Sequence, residues 1–272
     1  MIVGIDIGGT KTLLGLFQDN GKLAERLKFE TPTSYEDFTM ELSKHLSTFT
    51  DGHSVRRCVV AVPGKLNRST GVAEALGNRD WADIPIGEDI SQMLGAPVQI
   101  ENDANLAGLS EALLLSEYRR VLYITISTGI GGVIIQDGHI EETTADMEPG
   151  QLMLEHDGSL ISWEHLASGK AIYKRTGKKV MDITDPQELH IMARHIALGL
   201  IGIISTTIPE VVVIGGGVGS HLMKFKEYLE NALAIYRSNV VDLPPIFQAR
   251  NPEEAVIYGC YALAKQQEEQ TA

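Results

Sequence analysis

Cysteine is nearly missing from this chain. Only Cys58 and Cys260 occur in 272 residues, too few and too far apart for a disulfide framework or a CxxC zinc site, and both sit in apolar surroundings that suit buried free thiols. No apolar run approaches the length needed to cross a bilayer, so no membrane partner is expected. The first residues, Met1-Ile2-Val3-Gly4-Ile5-Asp6, lack the basic segment, apolar stretch and cleavage site of a secretory leader, which leads to the expectation of a cytoplasmic location. Positive charge is scarce as well. With 23 Lys and Arg against 36 Asp and Glu the net charge is −13, and nucleic acid is not expected as a partner, because its binding depends on Lys and Arg displacing counterions. Finally, no segment matches the P-loop pattern GxxxxGK[ST].

What is present reads as a mixed α/β chain. At 43% apolar and 22% charged residues the composition is that of an ordinary globular protein, and the length accommodates two domains. Apolar and β-branched runs predict strands at 2–7, 12–17, 23–29, 57–62, 98–101, 121–126, 131–135 and 210–214. Apolar positions at three- and four-residue spacing predict helices near 35–49, 103–116, 162–174, 187–206, 219–237 and 253–268. The segments DIGGTKTLLGLFQDNGK and ITISTGIGGVIIQDGH, about 120 residues apart, share a strand, a glycine-rich turn, a second strand and an Asn-Gly or Asp-Gly turn. Two related lobes account for that echo, and so does the general recurrence of Gly-rich hairpins.

Three glycine clusters are candidates for holding phosphate. Gly8, Gly9 and Thr10 can turn successive backbone N–H groups into one concavity that admits no bulky side chain. Asp6, just before them, is placed to meet a Mg2+ ion through water, and Lys11 or Thr10 to touch a phosphate oxygen. Thr128 and Gly129 offer a hydroxyl and further donors. Gly215, Gly216 and Gly217 follow an apolar strand and open a helix, a common nucleotide position. A dinucleotide-binding GxGxxG begun at Gly215 meets Ser220 where its third glycine belongs, which disfavours a dehydrogenase. Asp103, in Ile100-Glu101-Asn102-Asp103-Ala104-Asn105, stands where a strand ends and a helix begins. Both a catalytic base and a simple helix cap fit that junction. The helix N-terminus favours the ionised carboxylate, so a weak base is expected there.

Taken in order, DIGGTK at 6–11, AVPG at 61–64, GNRDW at 77–81, ENDAN at 101–105, STGIGGVI at 127–134 and VIGGGVG at 213–219 resemble the ROK family of sugar kinases and repressors. The resemblance covers nearly the whole chain. It implies an α/β, two-lobed actin-like ATPase (ribonuclease H-like) sugar kinase fold with a central cleft, divided as 1–105 plus 255–272 and 106–254, with dimers usual. It further implies ATP, Mg2+ and a hexose as ligands, Asp103 as the base, and sugar contacts from Gly64, Asn78, Asn102, Glu148, Gln151 and Glu164.

The chain also departs from the family. Glu148-Pro149-Gly150-Gln151 replaces the Glu-x-Gly-His whose histidine is a zinc ligand there, and Asp157 to Glu164 stands in place of the cysteine-rich segment that supplies the others. With the whole set gone, zinc is not expected. His156 and His165 are read as surface residues rather than substitute ligands. Family repressors carry an N-terminal winged helix-turn-helix, and with the first strand starting at residue 2 repression is not expected. Phosphorylation of glucose, or of fructose, mannose or an N-acetylhexosamine, is therefore expected; a sugar-binding regulator that lost catalysis along with zinc is the alternative.

Overall fold

The computed structural model describes residues 1–77, 80–236, 242–251 and 254–271. The chain forms two units, Met1–Ser110 with Glu253–Ala272, and Glu111–Pro252.

The first unit begins β1 (Ile2–Ile7), β2 (Lys11–Phe17), β3 (Leu23–Glu30), α1 (Tyr35–Phe49) and β4 (Arg57–Ala61). A small antiparallel sheet of β5 (Lys65–Asn67), β6 (Val72–Ala75) and β7 (Ala82–Ile84) follows, then α2 (Ile86–Leu94), β8 (Val98–Glu101) and α3 (Asp103–Ala112). The main sheet has the order β3-β2-β1-β4-β8. β1 runs antiparallel to β2 and parallel to β4, which is parallel to β8. Because side chains alternate across a strand, β4 splits its apolar residues between two cores: Cys58, Val60 and Val62 face one, Val59 and Ala61 the other. Phe38, Leu42 and Leu46 of α1, at successive four-residue steps, fill the first core. Ser34 caps that helix, its hydroxyl accepting the Asp37 N–H at 3.1 Å.

The second unit runs β9 (Arg120–Ile126), β10 (Ile130–Gln136), β11 (His139–Ile140), the hairpin β12 (Met153–His156) and β13 (Ser159–Ser162), α4 (Trp163–Ala167), α5 (Gly169–Thr176), α6 (Pro186–Thr207), β14 (Val211–Gly215), α7 (Gly216–Gly219), α8 (Lys226–Ala234) and β15 (Ile246–Gln248). Its sheet order is β11-β10-β9-β14-β15, with β9 antiparallel to β10 and parallel to β14, which is parallel to β15. Order and sense repeat those of the first sheet, so the sequence echo is a repeated βββαβαβ-like unit. The chain then returns to the first unit as α9 (Ala255–Thr271), where Ile257, Cys260 and Ala264 cover Ile2, Val59 and Ala61.

The two units divide inside α3, after Ser110, and Leu106 of that helix packs in the first unit's core. Two expectations need correction. The helix expected over 162–174 is broken at Ser168, which is extended and whose hydroxyl caps α5 by accepting from Ala171 N at 3.2 Å. Gly169 N donates to Ser127 O at 2.7 Å, and a Cβ at Gly169 would lie 2.6 Å from that oxygen, so packing against the 127 turn sets the break. α6 does have the length and composition of a membrane span, contrary to the sequence reading. Its Met192, Ala193, Ile196, Ala197 and Leu200 form the core of the second unit.

Candidate active site

In both sheets the candidate residues gather at the carboxyl ends of the parallel strands, where open α/β sheets bind ligands. In the first unit, Asp6 lies near the end of β1, aligned with Leu13 of β2 and Ala61 of β4. Gly64 follows β4, and Asn102 and Asp103 follow β8.

The turn after Asp6 is tight. Gly8 N donates to Lys11 O at 3.0 Å, and a Cβ at Gly8 would lie 2.8 Å from that oxygen. The Thr31 hydroxyl donates to Gly8 O at 2.9 Å, which ties the turn to the strand after it. Thr10 and Lys11 are exposed, Gly8 and Gly9 half-buried. Gly64 has φ +107, and a Cβ there would come within 2.2 Å of Ala75 O, so only glycine lets residues 75–77 approach. Those residues lead to Asn78, which lies outside the described residues. Gly9, Thr33, Tyr35, Gly77 and Trp81 line a cavity of about 740 Å3, large enough for a small ligand.

At the start of α3 the helix cap expected of the Asn-Asp pair falls to Asn102. Asn102 is the cap: its Oδ1 accepts from Ala104 N at 2.9 Å. Asp103 opens the helix, and its Oδ1 also accepts from Ala104 N, at 2.8 Å. Burial nevertheless pushes the Asp103 carboxyl above the usual carboxylate range, outweighing the lowering by the backbone N–H groups of Ala104 and Asp103 itself. The expected weak base is thus corrected: desolvation exceeds the pull of the helix N-terminus. Asp6 is pushed up to about 7, by burial first and then by the negative charge of Asp103, with Lys28 opposing.

The sequence reading missed what holds this junction. Glu101, 4% exposed, accepts from Arg68 Nε and Nη2 at 2.7–3.0 Å, from Asn102 N at 2.7 Å and from Asn105 Nδ2 at 2.9 Å. Asn105 stands only four residues after Glu101, in the first turn of α3. Arg68 instead arrives on the β5–β6 hairpin.

In the second unit the turn between β9 and β10 is closed by Ser127 N donating to Gly129 O at 2.9 Å, matching the Gly8 turn in place. Thr128 is exposed. The carboxylate of Glu164, at the start of α4, is turned onto this turn: Ile130 N donates to Oε2 at 3.0 Å, and a Cβ at Gly129 would lie 2.3 Å from the same oxygen. Gly150 is buried against Ile130 O and Glu164, so the 148–151 segment sits beside them, with Glu148 and Gln151 exposed.

The third glycine cluster divides by role. A Cβ at Gly215 would strike the Tyr123 hydroxyl at 2.3 Å, and Gly216, with φ +76, abuts Ile126 O; both are packing requirements. Gly217 instead lines a cavity of about 500 Å3 with Ser127, Thr128, Gly169, Tyr173 and Met181. Tyr173 and Met181 had no signal in the sequence, since α5 and the segment after it reach this cavity only through the fold.

The ROK family model matches residues 2–267. This chain belongs to the ROK family. Among its relatives, the glucokinase of Streptomyces coelicolor is 30% identical over 64% of this chain; the match spans 58% of the length of that enzyme. The N-acetyl-D-glucosamine kinase of Haemophilus influenzae is 28% identical over 97% of this chain and 99% of its own. The structure of a ROK hexokinase from Thermus thermophilus superposes with a TM-score of 0.83 at 28% identity, covering 99% of both chains. The α/β actin-like class follows from these relatives and from the two sheets of one topology.

The two histidines near the segment where the resemblance implies zinc ligands are both engaged by neighbours. His165 Nδ1 is hydrogen-bonded to the Ser162 hydroxyl at 2.6 Å, and the His156 ring packs edge-on to His195 at 4.9 Å. His195 is buried and pushed down to about 4, by desolvation and then by Arg175 and other neighbouring charges. Among the described residues no three His, Cys, Asp or Glu side chains are grouped to hold a metal.

Proposed function

We propose that this chain is an ATP-dependent sugar kinase that phosphorylates a primary hydroxyl of a hexose, glucose first among them, with Asp103 as the base. The observation that carries the reading is the place of the Asp103 carboxylate at the strand-to-helix junction, where it accepts from Ala104 N beside the capping Asn102 and the Glu101–Arg68 pair. A carboxylate so placed can orient a hydroxyl and take its proton as the oxygen attacks the γ-phosphorus and ADP leaves, which is what phosphoryl transfer asks of a base. In this reading Gly8 to Lys11 and Thr128-Gly129 supply donors to the phosphates, and Gly217 borders the nucleoside. Asn78, Asn102, Glu148, Gln151 and Glu164 meet the sugar hydroxyls. Asp6 would hold Mg2+ through water, and the ion, when bound, neutralises phosphate charge. The relatives named above, kinases of glucose and of N-acetylglucosamine, support the class.

The test is an ADP-release assay across glucose, fructose, mannose and the N-acetylhexosamines. Turnover on at least one is expected, and silence on all would end the proposal. Asp103→Asn should lower kcat by about 1,000-fold or more while calorimetry finds sugar affinity within about threefold, since general-base and positioning roles are lost but the hydrogen-bonding shape is kept.

A further inference from the structure

We infer that Glu164 is a positioning residue for the donor side of the site, holding the Ser127–Ile130 turn in its phosphate-binding shape. The inference rests on the reading of that turn given above, and it departs from the sugar contact that the resemblance assigns to this residue.

Three observations converge. Glu164 Oε2 accepts the Ile130 N–H at 3.0 Å, so the carboxylate anchors the first residue of β10. The carboxylate is also in steric contact with the turn itself, because a methyl group on Gly129 would come to 2.3 Å from Oε2 and 3.1 Å from Cδ. Its own position is set from behind. Ser162 caps α4 by accepting from His165 N, and a Cβ on Gly150 would meet Glu164 Cβ and Oε2 at 3.3 Å each. On the opposite side, Gly169 N holds Ser127 O at 2.7 Å. The exposed turn is therefore clamped at both ends, by a charged acceptor at Ile130 and by a helix start at Ser127.

A charge-assisted hydrogen bond to a backbone N–H is about twice as strong as a neutral one. Loss of this one removes an end of the clamp while leaving Thr128, Gly129 and the rest of the cavity wall in place. The remaining oxygen, Oε1, accepts no hydrogen bond among the described residues and stays available to a hydroxyl. One side chain then serves two ligands through two oxygens: Oε2 shapes the donor turn, and Oε1 is left for a sugar hydroxyl.

Calorimetric titration of the full chain with Mg·ADP in the absence of sugar tests this directly. Glu164→Ala is expected to weaken ADP by about tenfold. Glu164→Gln, which keeps a carbonyl acceptor for Ile130, should stay within about threefold of wild type for ADP yet bind sugar more weakly. Gly129→Ala, which displaces the carboxylate sterically, should reproduce the Glu164→Ala loss, and the double variant should be no worse than either alone, a coupling that general destabilisation does not produce. Equal ADP affinity in wild type and Glu164→Ala, additive losses in the double variant, or no ADP binding by the wild type would overturn the inference. Wild-type ADP binding without turnover on any sugar would sink the kinase proposal and leave this one standing.

Discussion

Asp6 shows how burial turns one side chain into a pH-dependent load on the fold. Its carboxyl is pushed up to about 7 in the folded chain, against an ordinary value of 3.8. A raised value means the folded state binds the proton more tightly than the unfolded one. The associated stability is therefore full below about pH 4 and is lost as pH climbs through 7. Asp6→Asn removes the titration. The variant should melt higher than wild type at pH 8, by the equivalent of roughly 1–4 kcal/mol for a shift of this size, with the gap closing toward pH 4. A gap independent of pH in paired thermal melts would contradict the assignment. The same residue was legible in the sequence as a carboxylate beside a glycine turn, but its proton affinity was not, because that depends first on burial and then on Asp103, which is remote in the chain.

At the level of single elements, α6 and α4 show a contact that overrides propensity. Gly199 sits inside the 22-residue α6, where alanine would ordinarily stabilise by about 1 kcal/mol. A Cβ there would lie 2.1–2.4 Å from three atoms of the Trp163 ring. Trp163 is fully buried and its Nε1 donates to His195 O at 3.1 Å, so the ring has nowhere to go. Overpacking of this kind costs more than the helix gains. Gly199→Ala should thus destabilise the second unit by about 2 kcal/mol in urea unfolding, and a neutral or stabilising result would show that the ring moves. The helix itself was readable over 187–206 from its apolar spacing. The glycine's reason was not. Elements that escaped the sequence reading are short: β5, β6, β7, β11, β12, β13 and β15 have two to four residues each, and α2 has nine with a glycine at 87 packed on Gly71. Too few residues are present in each for a period to stand out.

For the molecule as a whole, the chain leaves the first unit and comes back to it. A chain ended at residue 252 lacks α9, and Ile2, Phe17, Val59 and Ala61 lose the cover of Ile257, Cys260 and Ala264, which are all 0% exposed. Such a truncation should keep a melting transition for the second unit, which has its own core, and lose the cooperative transition of the first, seen as early hydrogen exchange in β1 and β4; native protection there would refute it. The duplicated topology was legible because strands and glycine turns are written locally, in alternation of apolar residues and in the punctuation between them. The same local signals placed Asp103 at a strand-to-helix junction and the glycines at strand ends. Only the folded chain decided that Arg68 reaches Glu101, that Glu164 turns onto Ile130, that Ser168 breaks a helix, and that Asp103 gains rather than loses proton affinity. Each of these depends on which distant groups share a desolvated space, and that information is carried by packing between segments rather than by the order of residues within one.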